Sequence, residues 1–250
     1  MARRLFLLLL ITLVGAFLRL YQIDRLPPGP SFDAAFYGLD AYAILDGARP
    51  VFLATNSGRE ALFSYLVAAL FALIGPGATA IYAASALVGI ATIPAVYLAA
   101  REMLRNEADA ALRDVAPLLA ALALAISWWH VQLSRQGLRA ILVPLAAALA
   151  VWLLFRALRT RSAWDVVGLG VALGLAMYTY QAARLLPLLV ALGYVGAAVY
   201  QGGWRATRWR DLGLALVVAV GVALPLAVYA VQRPAGLATG VYAVAAGGEH

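Results

Sequence analysis

Eight stretches of this chain, residues 5–20, 61–74, 78–100, 115–131, 140–155, 166–180, 185–200 and 212–231, are apolar almost throughout. A helix needs roughly 17 to 25 such residues to cross the hydrocarbon core of a bilayer. The chain is therefore expected to fold as an all-α, polytopic transmembrane helical bundle, a single transmembrane domain over 1–250. Composition closes the route to a water-soluble fold: 64% of the 250 residues are hydrophobic and 12% charged, against roughly 45–50% apolar and about 25% charged in soluble domains. The absence of cysteine excludes disulfides, thiolate metal sites and a cysteine nucleophile. The net charge of +7 comes from arginines scattered between apolar runs and not gathered on one solvated face, so nucleic acid is not an expected partner.

Arginine placement chooses among topologies, because cytoplasmic loops collect positive charge. Arg3 and Arg4 precede the first stretch, and no small-residue cleavage site follows it, so it reads as an uncleaved span with the N-terminus inside. If all eight stretches cross, six arginines lie inside and thirteen outside or at the outer edge; if 61–74 does not cross, eleven lie inside against eight. The second arrangement puts the clusters Arg101/Arg105/Arg113, Arg156/Arg159/Arg161 and Arg205/Arg208/Arg210 on one side. Ser57-Gly-Arg-Glu60 reads as a capping box, and Gly75-Pro76-Gly77 as a sharp stop. The helix between them is about 17 residues, roughly 25 Å, short of a roughly 30 Å core. We therefore expect seven spans, with 61–74 membrane-parallel or re-entrant inside an outer loop over 21–77. A second short helix is expected over 34–45, with Asp33 as a candidate N-cap, behind the stiff Leu26-Pro-Pro-Gly-Pro30 segment. The glycines between Gly168 and Gly174 read as close helix packing. The chain reads as the front portion of something longer.

Ionisable residues in or against a membrane are costly and point to function. On the outer side of the seven-span map they fall into four short stretches: 31–40 with Asp33 and Asp40, 56–60 with Arg59 and Glu60, 128–139 with His130, Arg135 and Arg139, and 178–184 with Tyr180, Gln181 and Arg184. One carboxylate-bearing loop thus faces several arginine-bearing helix ends. That arrangement suits transfer from a phosphate-linked donor to a hydroxyl. Arginine holds phosphate through bidentate bonds and stabilises the charge that grows as the glycosidic bond breaks, and a carboxylate takes the acceptor's proton. Phosphate already leaves readily, so the carboxylate pair of glycoside hydrolysis is not required.

Asp33, together with Gly58-Arg-Glu-Ala-Leu-Phe-Ser-Tyr65, Trp129-His-Val-Gln-Leu-Ser-Arg-Gln-Gly-Leu-Arg139 and Tyr178-Thr-Tyr-Gln-Ala-Ala-Arg-Leu-Leu-Pro187, resembles the bacterial lipid-carrier-dependent glycosyltransferases of the GT-C superfamily. The likeness is to family 39, which includes protein O-mannosyltransferases and the aminoarabinose transferase of lipid A. It covers nearly the whole chain as that family's N-terminal part. It implies a polyprenyl-phosphate-linked sugar donor, an acceptor on protein, lipid or glycan, and an active site on the extracytoplasmic side of the bacterial inner membrane. It also implies an essential acid in the first outer loop, by position Asp33. The family usually shows Asp-Glu where this sequence has Asp33-Ala34, so a divalent cation, the one cofactor the resemblance leaves open, would find a single carboxylate there.

Each candidate has a plainer reading beside it. Asp33 serves as catalytic base or as N-cap, and Asp40 has a solvated or supporting role. Arg59 contacts lipid headgroups or the donor phosphate, and Glu60 closes a capping box or helps bind substrate. His130, next to Trp128 and Trp129, is an interface anchor or a proton carrier. Arg135 and Arg139, four apart, share a helical face and reach one phosphate, or anchor the interface. Tyr180, Gln181 and Arg184 recognise sugar or hold a turn. A metal site has little support with no second histidine near His130. Two other classes remain: a membrane transporter or lipid-linked sugar flippase, which would carry broken helices and mid-membrane charge, and a non-catalytic scaffold.

Overall fold

The computed structural model describes residues 2–56, 58–200 and 209–233. Ser57, Arg205, Arg208 and the chain from 234 onward lie outside the described residues. Helices occupy all eight apolar stretches: α1 (Ala2–Leu20), α3 (Leu62–Ile74), α4 (Ala78–Met103), α5 (Ala110–Ile126), α7 (Leu142–Thr160), α8 (Ala163–Ala176), α9 (Leu186–Tyr200) and α10 (Trp209–Gln232). Two further helices, α2 (Phe32–Leu45) and α6 (Trp128–Arg135), and a hairpin of β1 (Phe52–Leu53) and β2 (Arg59–Glu60) complete the order. The fold is an all-α polytopic bundle.

Among the described residues four helices are long and apolar enough to cross a membrane: α4, α10, and α7 and α9 each taken with the 3-10 turn that leads into it. The α5–α6 pair makes a fifth if read as one span, bent by 53°. α1 has 19 residues but carries Arg3, Arg4 and Arg19. α8 has 14 residues, about 21 Å of helix, and stops where Met177–Thr179 turns. α3, with 13 residues, is likewise too short, so four or five helices qualify as spans by length and composition where seven are expected.

The core forms three contiguous patches. α2 and α3 pack with α4 and the start of α7 through Tyr37, Phe63, Phe71, Ile81 and Ile141. α1, α4 and α5 meet around Ile93, Tyr97 and Ala121. The remaining helices gather round Leu154, Leu169, Leu173, Val190 and Tyr194. Within that third patch the expected glycine packing is present: a Cβ on Gly170 or Gly174 would lie 2.6 or 2.5 Å from the Val218 or Val222 side chain, so hydrogen alone allows α8 to lie this close to α10.

The ends of the helices sort by contact. Arg4 pairs with Asp114, joining the starts of α1 and α5; Arg159 pairs with Glu102, joining the ends of α7 and α4; and Arg156 pairs with Asp165, joining the end of α7 to the start of α8. At the opposite end, the loop after α1, the hairpin and the entries to α7 and α9 come together. The four charged stretches singled out in the sequence all lie at this second end.

Candidate functional site

The segment between α1 and α3 is held by a buried ion pair. Ser31, not Asp33, caps α2: its hydroxyl accepts from the Ala34 backbone N–H at 3.3 Å. Asp33 sits inside the first turn, where a carboxylate complements the helix dipole, and its side chain is exposed. Asn56 donates to Asp33 Oδ1 at 2.7 Å. Asn56 has φ 51°, a left-handed conformation that Asn tolerates better than most residues. Two turns on, Asp40 is buried and takes Arg59 Nη2 on both oxygens at 2.7 and 2.9 Å, with Ser64 donating at 3.1 Å. Its role is therefore supporting and not solvated. Arg59 is 1% exposed, also donates to the Thr55 carbonyl at 2.6 Å, and lies over the rings of Phe36 and Tyr37 at 5.0 and 5.8 Å.

The expected capping box is not formed by Glu60. Glu60 belongs to β2, paired with Phe52 across the hairpin, and α3 starts after Ala61 with no side-chain cap. The physical reason lies in its partners, since a carboxylate held by two guanidiniums is better satisfied than one accepting a single backbone N–H. Glu60, 1% exposed, lies 3.1 Å from Arg184 Nη2 and 3.1 Å from Arg139 Nη1. The first contact is a hydrogen bond. The second has poor angles, leaving Glu60 Oε2 and Arg139 Nη1 without a hydrogen-bond partner. Arg139 and Arg184 both stand on 3-10 turns, Arg139–Ile141 and Gln181–Leu185, that feed the N-termini of α7 and α9. Arg139 lies over the Tyr180 ring at 5.2 Å, and Gln181 is exposed beside it.

Arg135 and Arg139 do not share a helical face. α6 ends at Arg135, and Gly137, at φ 67°, turns the chain where an L side chain would be strained and would press on Ile81. Arg135 instead reaches back to α1, donating to the carbonyls of Leu18, Arg19, Tyr21 and Leu26 at 2.9–3.0 Å. Arg19, fully buried, returns the contact. Its five N–H groups meet Ser134 Oγ, the Gly15, Leu124 and Ala125 carbonyls, and His130 Nδ1 at 2.8 Å. An arginine of α1 thus closes the end of α5 while an arginine of α6 closes the end of α1. Because guanidinium only donates, His130 Nδ1 accepts and its hydrogen sits on Nε2, which is buried without a partner. Trp128 and Trp129 are the exposed side chains here, and His130 points inward.

Asp33, Tyr37, Asn56, Arg59, Arg139 and Tyr180 line one cavity of about 160 Å³. His130, Arg135, Gln181 and Arg184 do not line it, although Arg184 is tied to it through Glu60. Burial pushes the Tyr37 phenol up to about 12, so it remains a hydrogen-bond donor at neutral pH. At this volume, below the roughly 300–1,000 Å³ of sites that engulf a small molecule, the cavity can hold a reacting group and not a whole lipid-linked sugar. Among the described residues no three His, Asp or Glu side chains come together in a way that could hold a metal ion. Three residues escaped the sequence reading: Asn56, Tyr37 and Arg19. Only Arg19 carried a signal, as a charge inside an apolar stretch.

Residues 61–229 match the family model described as dolichyl-phosphate-mannose-protein mannosyltransferase. The match spans most of the chain and includes His130, Arg135, Arg139, Tyr180, Gln181 and Arg184; Asp33, Arg59 and Glu60 precede it. No curated protein matches the chain.

Proposed function

The chain belongs to the dolichyl-phosphate-mannose-protein mannosyltransferase family of membrane glycosyltransferases, and from that premise we propose that it moves a sugar from a polyprenyl-phosphate donor to an acceptor hydroxyl on the extracytoplasmic side. The observation that carries the reading is the placement of the Asp33 carboxylate and the Arg139 guanidinium on the wall of one cavity. Asn56 holds Asp33 Oδ1, and Oδ2 takes the proton of the acceptor hydroxyl as its oxygen attacks the anomeric carbon. The bond from that carbon to the phosphate oxygen breaks, and the polyprenyl phosphate leaves with an added negative charge. The proton on Asp33 passes to water, which the exposed side chain reaches.

Arg139 and Arg184 receive the phosphate. They share the single charge of Glu60, which leaves one positive charge in excess, and both stand at helix entries that favour anions. Arg59 and Arg135 frame the site, since their donors already go to Asp40 and to the end of α1. In this reading the N-terminus is cytoplasmic, and the membrane is a bacterial inner membrane.

Asp33→Asn tests the base. Turnover of a polyprenyl-phosphate sugar is expected to fall by about 10²–10⁴ with donor binding retained; unchanged turnover would remove Asp33 from the mechanism. Sidedness is checked by labelling A54C and S162C with an impermeant thiol reagent in intact cells: the first should react from outside and the second only after permeabilisation. A flippase is the second reading, favoured by the broken α5–α6 pair next to buried Arg19. In a flippase Asp33→Asn should leave lipid-sugar translocation unaltered.

A further inference from the structure

At the opposite end of the bundle from Asp33, four guanidiniums surround one cavity. Arg4 of α1, Arg101 and Arg105 at the end of α4, and Arg113 of α5 line a space of about 230 Å³ whose wall holds a single carboxylate, Asp114. That carboxylate is already engaged: Arg4 pairs with it, and Arg113 Nε lies 3.5 Å away. Arg105 has Glu102 at 3.8 Å, but Glu102 is shared with Arg159. Arg101, half-buried, forms no hydrogen bond or ion pair among the described residues. Like charges gathered round a shared cavity repel one another, and an arginine drawn partly out of water with no partner is costly. A second cavity of about 250 Å³ adjoins the first, sharing Arg4, Tyr97 and Arg101, and its wall adds Leu5, an exposed apolar side chain of α1.

We propose that this paired cavity is a binding site for the headgroup of an acidic phospholipid. The arginine-lined lobe takes the phosphate, which guanidiniums hold through bidentate bonds, and the lobe against Leu5 takes the start of the glycerol and acyl portion. Basic pockets between membrane helices recognise anionic headgroups in this way. The first lobe is smaller than sites that enclose a drug-sized ligand, a size that suits a headgroup phosphate. The leaflet is the one facing the N-terminus, where Arg4 and Arg113 begin their helices. The site requires only that these helices span a membrane and does not depend on sugar transfer at the other end.

The test is thermal protection of the detergent-purified chain by short-chain phosphatidylglycerol, with short-chain phosphatidylcholine and inorganic phosphate as separate arms. Phosphatidylglycerol should raise the Tm in a saturable way, and phosphatidylcholine should not. Arg101→Gln should weaken the apparent affinity for phosphatidylglycerol about tenfold or more. R101K, which keeps the charge and loses the fork, should weaken it less and covers the case in which the glutamine variant fails to fold. R25Q, which removes an exposed charge at the other end, should bind as the parent does. Equal protection by both lipids, or parental affinity in the Arg101 variants, overturns the site. Protection by inorganic phosphate equal to that by phosphatidylglycerol overturns the lipid assignment.

Discussion

The two ends of the bundle use the same pairs of residues at different depths. Around Asp33, the carboxylates of Asp40 and Glu60 and the guanidinium of Arg59 are almost wholly removed from water. At the far end the arginines stay in reach of water: Arg4 and its partner Asp114 are 44% and 27% exposed, and Arg156 and Arg159 are 37% and 32% exposed although their partners Asp165 and Glu102 are at 11% and 7%. An exposed pair is worth roughly 0–1 kcal/mol and is screened by salt. A buried pair carries a desolvation cost that only good geometry and further hydrogen bonds offset, yet losing one partner is strongly destabilising. The Arg4–Asp114 pair at the far end is therefore the tolerant one. The near end is a rigid frame, in which Asp40 and Glu60 are buried in ion pairs and Asp33 is the one of these three carboxylates left open to solvent.

The sharpest way to break this contrast is Asp40→Asn. It leaves Arg59 buried without its counter-charge and is expected to cost about 3–5 kcal/mol, read as a large drop in Tm of the purified chain; a drop no larger than that of a surface variant would mean the pair is not structural. Arg184→Gln separates frame from chemistry. Its guanidinium is 42% exposed and its buried partner Glu60 keeps Arg139 beside it, so stability should fall by less than for Asp40→Asn, while turnover should fall by about 10² if it stabilises phosphate charge. A matched loss of stability and activity would make it part of the frame instead. The smallest effect belongs to Asp114→Asn, expected below about 1 kcal/mol and diminishing further in high salt. A loss as large as that of Asp40→Asn would erase the distinction between the ends.

Much of the fold was readable because hydropathy reports burial in lipid directly: every apolar stretch became a helix, and Gly75-Pro76-Gly77 marked the stop of α3. The hairpin was not readable, since two residues per strand give no alternation. Nor was the break at Ser127, because the run continues apolar through Trp128 and Trp129. At the site, the four charged stretches named the right neighbourhood but not the pairings. Asp40 and Arg59 meet across a turn of the loop, and Arg184 reaches Glu60 over 124 positions. Spacing could not assign those partners, and the same blindness led Glu60 to be read as a cap and Arg135 as a neighbour of Arg139 on one helix.

The exchange of arginines between α1 and the α5–α6 bend bears on how the molecule is made. Every acceptor for Arg19 beyond its own helix is supplied by residues from 124 onward, which leave the ribosome long after α1. Until then the first helix must keep that cation at the lipid–water boundary, as long basic side chains do by snorkelling. The seat of Arg19 is accordingly complete only once the α5–α6 bend is in place to receive it.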